Sequence, residues 1–118
     1  MSDYTIYHNP RCSKSRQTLQ LLEENGIEAE VIRYLETPPD AATLAELLEK
    51  LGLEPRQLLR KGEAEYKELG LADSSLSDDD LIKAMVAAPK LIERPIVVKG
   101  ARAVLGRPPE NVLELIAS

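Results

Sequence analysis

The sequence has no tryptophan and no phenylalanine, and it has only one cysteine and one histidine among its 118 residues. A single cysteine cannot form an internal disulfide, which excludes a small secreted domain held together by disulfides. With four tyrosines as the only aromatic residues, the core must be built from Leu, Ile, Val and Ala. A chain of this length buries roughly two thirds of its unfolded surface. We therefore expect one domain spanning residues 1–118.

Positive charge is also scarce, since 15 Lys and Arg stand against 20 Asp and Glu, which gives a net charge of -5. Nucleic-acid-binding proteins generally present a basic face, so the acidic balance argues against nucleic acid as a partner. No stretch approaches the ~18 apolar residues of a membrane span, and Met1–Tyr4 lacks the basic and apolar regions of a signal peptide. We expect a monomer in the cytoplasm, where a lone thiol stays reduced.

The first 34 residues predict a strand, a helix and a second strand. Tyr4–Tyr7 and Glu30–Tyr34 are rich in β-forming residues. Between them, Ser13–Asn25 has apolar residues on one side of a helix and is followed by Gly26, a common helix stop. Two strands joined in this way are expected to be parallel, with a right-handed crossover.

The middle of the chain, at about residues 40–90, predicts a block of helices inserted between strands. The clearest helix has apolar residues at the spacing i, i+3, i+4 and i+7, namely Leu44, Leu47, Leu48 and Leu51. Ser77 followed by three aspartates predicts the start of another helix, with Ser77 as its cap and the carboxylates at the positive end of the helix dipole.

The last part of the chain predicts two further strands and a C-terminal helix. Arg94–Val98 and Ala103–Leu105 are expected to pair as a hairpin. The helix that follows carries Val112, Leu113 and Ile116 as its apolar residues. The complete order, βαβ, helical insertion and ββα, predicts an α/β thioredoxin-like fold with a four-stranded mixed sheet.

The only cysteine stands where the first strand gives way to the first helix. Cys12 lies in the polar segment His8–Arg16, next to Arg11 and near Lys14. The free N–H groups of a helix N-terminus and nearby cations lower the pKa of a thiol to ~3.5–7.5. The same features attract an oxyanion. The setting therefore favours a nucleophilic thiolate over the buried, inert thiol that is the common alternative.

The residues around Cys12 restrict its chemistry. Cys12 and Ser15 form a Cys-x-x-Ser sequence, so there is no second thiol, and reducing equivalents must come from an external thiol. The spacing to Arg16 does not match the Cys-x5-Arg phosphate loop of protein tyrosine phosphatases. His8 either tunes or deprotonates Cys12, or it caps backbone groups in its loop, and geometry has to decide. One Cys and one His without clustered carboxylates predict no metal site.

Arginines later in the chain are the other candidate site residues. Arg60 ends a predicted helix, and Arg94 and Arg107 each precede a proline. A residue before proline is restricted to extended geometry, which fixes where its side chain points. In a thioredoxin-like fold, the proline that starts the third strand faces the active-site cysteine and usually follows a cis bond. By that analogy, Arg94 is expected beside Cys12.

Segments spread along almost the whole chain match one family in order. They are Thr5–Pro10 with Cys12, Ser15 and Arg16, then Tyr34–Pro39, Leu58–Lys61, Glu68–Leu71, Arg94–Val98 and Arg107-Pro108. On these segments the chain resembles the glutaredoxin-coupled arsenate reductase (ArsC) family. Ser13-Lys14, where characterised members have Gly-Thr, is similar to a shorter, arsenate reductase-like branch of that family.

The resemblance implies reduction of arsenate to arsenite through a cysteine-bound arsenical, as in arsenical resistance. Glutathione would be the thiol co-substrate and glutaredoxin the protein partner, with no bound cofactor. The implied catalytic residues are Cys12 and His8, and the implied substrate-binding residues are Arg60, Arg94, Arg107, Ser15 and Arg16.

Two other functions stay open at this point. One is a regulator similar to the Spx proteins, which share this fold and bind RNA polymerase, although these typically carry a Cys-x-x-Cys switch that Ser15 removes. The other is a monothiol reductase of glutathione mixed disulfides, because glutathione also presents carboxylates to arginines.

Overall fold

The computed structural model describes residues 3–117. Met1, Ser2 and Ser118 lie outside the described residues. The segment Met1–Tyr4, which is not expected to be a signal peptide, thus lies partly outside them. The strands are β1 (Tyr4–Tyr7), β2 (Glu30–Ile32), β3 (Ile96–Lys99) and β4 (Arg102–Leu105). The helices are α1 (Ser13–Glu24), α2 (Ala41–Leu51), α3 (Pro55–Leu58), α4 (Ala64–Glu68), α5 (Asp78–Ala87) and α6 (Val112–Ala117), with 3₁₀ turns at Pro89–Leu91 and Pro109–Asn111.

The described residues divide into two compact units. The first unit comprises the residues up to Thr37 together with those from Arg94 onward, and the second unit comprises Pro38–Glu93. The organisation as a single domain with an insertion stays a prediction. None of the helices in residues 3–117 combines the length and the apolar character needed to cross a bilayer.

The first unit is built on a four-stranded sheet with the strand order β2-β1-β3-β4. β1 and β2 are parallel, whereas β3 is antiparallel to both β1 and β4. The βαβ arm and the ββα arm thus share one mixed sheet. This arrangement confirms the predicted α/β thioredoxin-like fold.

The core of the first unit lies between the sheet and the helices α1 and α6. Its fully buried residues are Ile6, Leu22, Val97, Val112 and Leu115. Burying one such side chain stabilises the fold by about 1.5–3 kcal/mol. In the C-terminal helix, Val112 and Leu115 are fully buried, whereas Leu113 is 40% exposed. The 3₁₀ turn Pro109–Asn111 directly precedes this helix.

β2 is shorter than the predicted strand. It ends at Ile32, and the carbonyl of Arg33 accepts hydrogen bonds from the N–H groups of Glu36 and Thr37 at 2.9 Å. These bonds form a turn in which Tyr34 is buried, although it is no longer part of the strand.

The second unit is helical, and α2 and α3 both pack against α5. Its two longer helices, α2 and α5, begin at side-chain caps. The Asp40 carboxylate accepts the Thr43 N–H at 2.8 Å at the start of α2, and Ser77 and Asp80 form a capping box at the start of α5.

Candidate active site

The loop between β1 and α1 is held by its own polar groups. The Asn9 carbonyl accepts the N–H of Cys12 at 2.9 Å, and the Asn9 side chain accepts the N–H of Arg11 at 3.0 Å. The buried hydroxyl of Ser15 accepts the Asn9 N–H at 3.3 Å. Because each bond closes a short loop, the backbone at Cys12 is fixed relative to the first turn of α1.

Cys12 is the N-cap residue of α1, with φ -92° and ψ 123°, and its side chain is partly exposed. An N-cap side chain faces the backbone N–H groups of the first helical turn. The sulfur makes no capping hydrogen bond of the short kind that Ser77 makes, so the N–H groups of Lys14 and Ser15 act on it at longer range. The first turn of α1 contains no acidic residue that would compete for these groups.

Two arginines from the C-terminal part of the first unit, Arg94 and Arg107, lie near this sulfur. Nη1 of Arg107 is 4.0 Å from Sγ of Cys12 and donates to the carbonyl oxygen of Arg94 at 3.3 Å. The Arg94 guanidinium also acts on the thiol and lowers its pKa. The Arg94–Pro95 peptide bond is cis, as expected from the fold, and the Arg107–Pro108 bond is cis as well.

The electrostatic setting favours the thiolate. Burial raises the pKa of the Cys12 thiol, but the Ser15 N–H, the Arg94 guanidinium and the Lys14 N–H together outweigh burial, so the pKa lies below its ordinary value. A larger fraction of Cys12 is therefore thiolate at neutral pH, and thiolate is the nucleophilic form. The donors that stabilise this anion are also suited to an oxyanion approaching the sulfur.

His8 follows β1 and is 6% exposed. Its N–H donates to the Ile32 carbonyl at 2.8 Å, while its ring Nδ1 has no hydrogen-bond partner in the part of the chain that the structure describes. Burial, together with the positive charges of Arg33 and Arg16, lowers the pKa of His8, so the imidazole is neutral at pH 7. A neutral ring can accept a proton, but it cannot serve as a cationic partner of the thiolate.

The other predicted site residues are placed as follows. The Ser15 hydroxyl is engaged with Asn9, and Arg16 is exposed and donates to the Pro10 carbonyl at 3.2 Å. Arg60 lies in the second unit, where its guanidinium pairs with Glu93 at 2.8 Å. Substrate binding by Ser15, Arg16 and Arg60 stays a prediction, and the structure brings together Cys12, Arg94 and Arg107.

Sequence reasoning missed Thr18 and Gly106. The Thr18 hydroxyl is fully buried and lies 2.8 Å from the Lys14 carbonyl oxygen and 3.4 Å from that of Gly106. A glycine directly before an Arg-Pro pair was an available signal for Gly106, whereas nothing in the local pattern distinguishes Thr18.

Within residues 3–117, His, Cys, Asp and Glu side chains nowhere gather in a group of three or more that could hold a metal ion. The groups that the structure brings together at the site are the Cys12 thiol and the guanidinium groups of Arg94 and Arg107.

The fold and the site define a thioredoxin-like protein with a single activated thiol. The ArsC family model matches residues 7–115, and the chain belongs to the ArsC family. The chain is 65% identical to the uncharacterised protein YfgD of Escherichia coli K12, over 94% of each chain. It is 50% identical to a protein named arsenate reductase from Neisseria meningitidis, over 95% of this chain and 97% of that protein.

The chain is also similar to a solved structure. The arsenate reductase from Vibrio cholerae superposes with a TM-score of 0.92 at 59% identity, covering 94% of this chain and 95% of that one.

Proposed function

We propose that this protein is an arsenate reductase in which the Cys12 thiolate attacks arsenate. The observation that carries the proposal is the position of the Cys12 sulfur, which lies at the N-terminus of α1 and 4.0 Å from the Arg107 guanidinium. Thiolate and arsenate are both anions, so their approach requires positive charge at the point of contact. The names of relatives at about half identity support arsenate as the oxyanion.

The proposed reaction proceeds in balanced steps. The Cys12 sulfur forms a bond to arsenic(V), and one arsenate oxygen leaves as water after protonation. A glutathione thiolate then attacks the Cys12 sulfur, the S–As bond breaks, and its electron pair stays on arsenic, which leaves as arsenite. Glutaredoxin removes glutathione from the Cys12 mixed disulfide and returns the thiolate. Because the reaction needs a supply of external thiols, we propose the reducing cytoplasm as the location of the protein.

Each site residue has a part in this proposal. Arg94 and Arg107 offset the charge of arsenate and orient it toward the sulfur, and the N–H groups of Lys14 and Ser15 add the helix dipole. Neutral His8 accepts or returns the proton of the thiol or of the leaving oxygen. Arg60, Ser15 and Arg16 are proposed as further substrate contacts on the basis of the family resemblance.

The deciding experiment measures arsenite formed from arsenate with glutathione and glutaredoxin. We expect turnover by the wild-type protein and none by Cys12→Ser, whose hydroxyl is not ionised at neutral pH. If the wild type forms no arsenite but accelerates the reduction of a glutathione mixed disulfide, the proposal is wrong and the monothiol reductase function is favoured.

The arginine part of the proposal has its own test. Arg94→Ala is expected to lower kcat/KM for arsenate by roughly 10- to 100-fold, the effect of losing a charge-assisted hydrogen bond of about 1.5–3 kcal/mol. Arg102→Ala, an exposed arginine in β4, removes the same charge away from the sulfur and is the matched control. Equal activities of the two variants would show that no oxyanion pocket exists at Arg94. Arg60→Ala in the same assay tests whether Arg60, which lies in the second unit, also binds arsenate.

The role of His8 is tested by a pH profile. If neutral His8 accepts a proton, His8→Gln lowers kcat and removes the limb of the profile that lies below the ordinary histidine pKa of about 6.5. The ionisation of Cys12, measured separately by alkylation, identifies the limb that belongs to the thiol. An unchanged profile in His8→Gln would leave His8 with a structural role only.

A further inference from the structure

The two arginines at Cys12 belong to one backbone arrangement. Beyond the ladder of β3 and β4, in which Ile96 pairs with Leu105, the N–H of Gly106 donates to the Pro95 carbonyl at 2.9 Å. One residue further out on each side stand Arg94 and Arg107, joined through the Arg94 carbonyl. A shift between Pro95 and Gly106 would therefore move the guanidinium groups that flank the sulfur.

Helix α1 contacts this arrangement through the side chain of Thr18. Thr18 is fully buried, and its hydroxyl lies between the carbonyl oxygens of Lys14, at 2.8 Å, and Gly106, at 3.4 Å. Lys14 is in the helical turn whose N–H groups act on the sulfur of Cys12. Thr18 thus links the turn that faces the thiol to the strand end that carries Arg107.

The contact leaves no room for a side chain at position 106. A Cβ on Gly106 would collide with Oγ1 of Thr18, and it would lie 2.8 Å from Cγ of Pro95 and 3.0 Å from Cγ2 of Thr18. The φ angle of Gly106 is not in the left-handed region, so backbone freedom is not what requires glycine here. The requirement is close approach between α1 and the end of the hairpin.

We propose that Thr18 and Gly106 are positioning residues, whose contact sets the distance of the Arg94 and Arg107 guanidinium groups from the Cys12 sulfur. The proposal rests on the oxyanion site proposed above, because Arg94 and Arg107 act on the thiol as members of that site. Coulomb attraction weakens with distance, and a misplacement of about 1 Å can cost a catalytic site on the order of 100-fold.

The test follows the rate of Cys12 alkylation by iodoacetamide as a function of pH. The groups that act on the thiol are the guanidinium groups of Arg94 and Arg107 and the N–H groups of Lys14 and Ser15. Gly106→Ala is expected to displace the arginines and move the alkylation profile to higher pH, with roughly three- to tenfold slower alkylation at pH 6, equivalent to about half to one pKa unit.

A double-mutant comparison separates positioning from a general structural effect. In a protein that already carries Arg94→Ala and Arg107→Ala, adding Gly106→Ala is expected to leave the profile unchanged. An equal shift in both backgrounds would overturn the proposal, since the substitution would then act without the arginines, and so would the absence of a shift in the wild-type background. Gly62→Ala, at a position with open space around it, is the control for the substitution itself.

A second pair of variants decides the question if Gly106→Ala does not fold. Thr18→Val keeps the shape of the side chain but loses the hydroxyl, whereas Thr18→Ser keeps the hydroxyl. We expect slower alkylation of Thr18→Val at pH 6 and recovery of most of the wild-type rate in Thr18→Ser. Equal rates in the two variants would contradict the proposal. Alkylation needs no arsenate, so these results stand even if the arsenite assay shows that the proposed function is wrong.

Discussion

The N-termini of α1 and α5 solve the same physical problem in opposite ways. α5 begins with Ser77 as cap, a capping box to Asp80 and three aspartates in its first turn. α1 begins with Cys12 as cap and has Lys14 and Arg16, and no acid, in its first turn. The free N–H groups and positive dipole end of α5 are thus satisfied by its own side chains, while those of α1 are left for the thiol.

The difference shows how a helix end is made structural or reactive. A hydroxyl cap with nearby carboxylates typically stabilises a helix by about 1 kcal/mol. In α1, the backbone N–H groups of the first turn instead lower the pKa of the Cys12 thiol, together with Arg94. A helix N-terminus whose N–H groups and dipole are already neutralised by its own carboxylates does not stabilise a substrate anion. The absence of acidic residues from the first turn of α1 is therefore as important as the presence of Cys12.

The largest effect is expected when α1 is made to resemble α5. Ser13→Asp puts a carboxylate on the exposed first residue of α1, where it competes for the helix dipole and repels the thiolate. The Cys12 thiol pKa should rise by about one unit, with alkylation roughly tenfold slower at neutral pH. Gln17→Glu adds the same charge further along α1 and is the control. Equal slowing in both variants would mean that net charge, not the helix end, controls the thiol.

A smaller effect is expected from weakening the N-terminus of α5. Ser77→Ala removes the hydroxyl that accepts the Asp80 N–H at 3.2 Å and should lower the free energy of unfolding by about 1 kcal/mol, measured by urea denaturation. Cys12 alkylation should be unchanged. Ser74→Ala, an exposed serine ahead of the helix, is the matched control. A loss of stability no greater than that of Ser74→Ala would count against the capping role of Ser77.

The smallest expected effect is the contribution of the Cys12 thiolate to stability. The thiol pKa is lower in the folded protein than in the unfolded chain. Folding therefore releases a proton when the pH lies between these two pKa values, and stability rises with pH in that range. The contribution is complete above the unfolded thiol pKa of about 8.5, and it is lost as pH falls through the folded pKa. Denaturation between about pH 6 and 9 should show wild type gaining stability over Cys12→Ser as pH rises. A constant or shrinking difference would contradict the lowered pKa.

The sequence predicted those parts of the fold and site that depend on neighbouring residues. The junction at Cys12 was visible because Asn9-Pro10 interrupts a β-rich stretch directly before a helical pattern. The hairpin of β3 and β4 was visible because two apolar stretches flank Lys99-Gly100. The cis bond at Pro95 followed from the fold, once the fold was predicted.

Features that depend on packing between distant residues were not visible. The contact between Thr18 and Gly106 joins positions 88 residues apart, and no pattern near either residue indicates that the two touch. The lowered pKa of His8 depends first on burial and then on the charge of Arg33, which the sequence places 25 residues away.

The position of Cys12 as the cap of α1 also determines how its bonds break. A thiol whose anion is stabilised is a good leaving group, because cleavage returns to sulfur the charge that the helix end and Arg94 are arranged to hold. A mixed disulfide formed at Cys12 removes that charge and leaves the helix end without its anion. In the proposed reaction, the helix end therefore favours the last step, in which glutathione is removed from Cys12 and the thiolate returns.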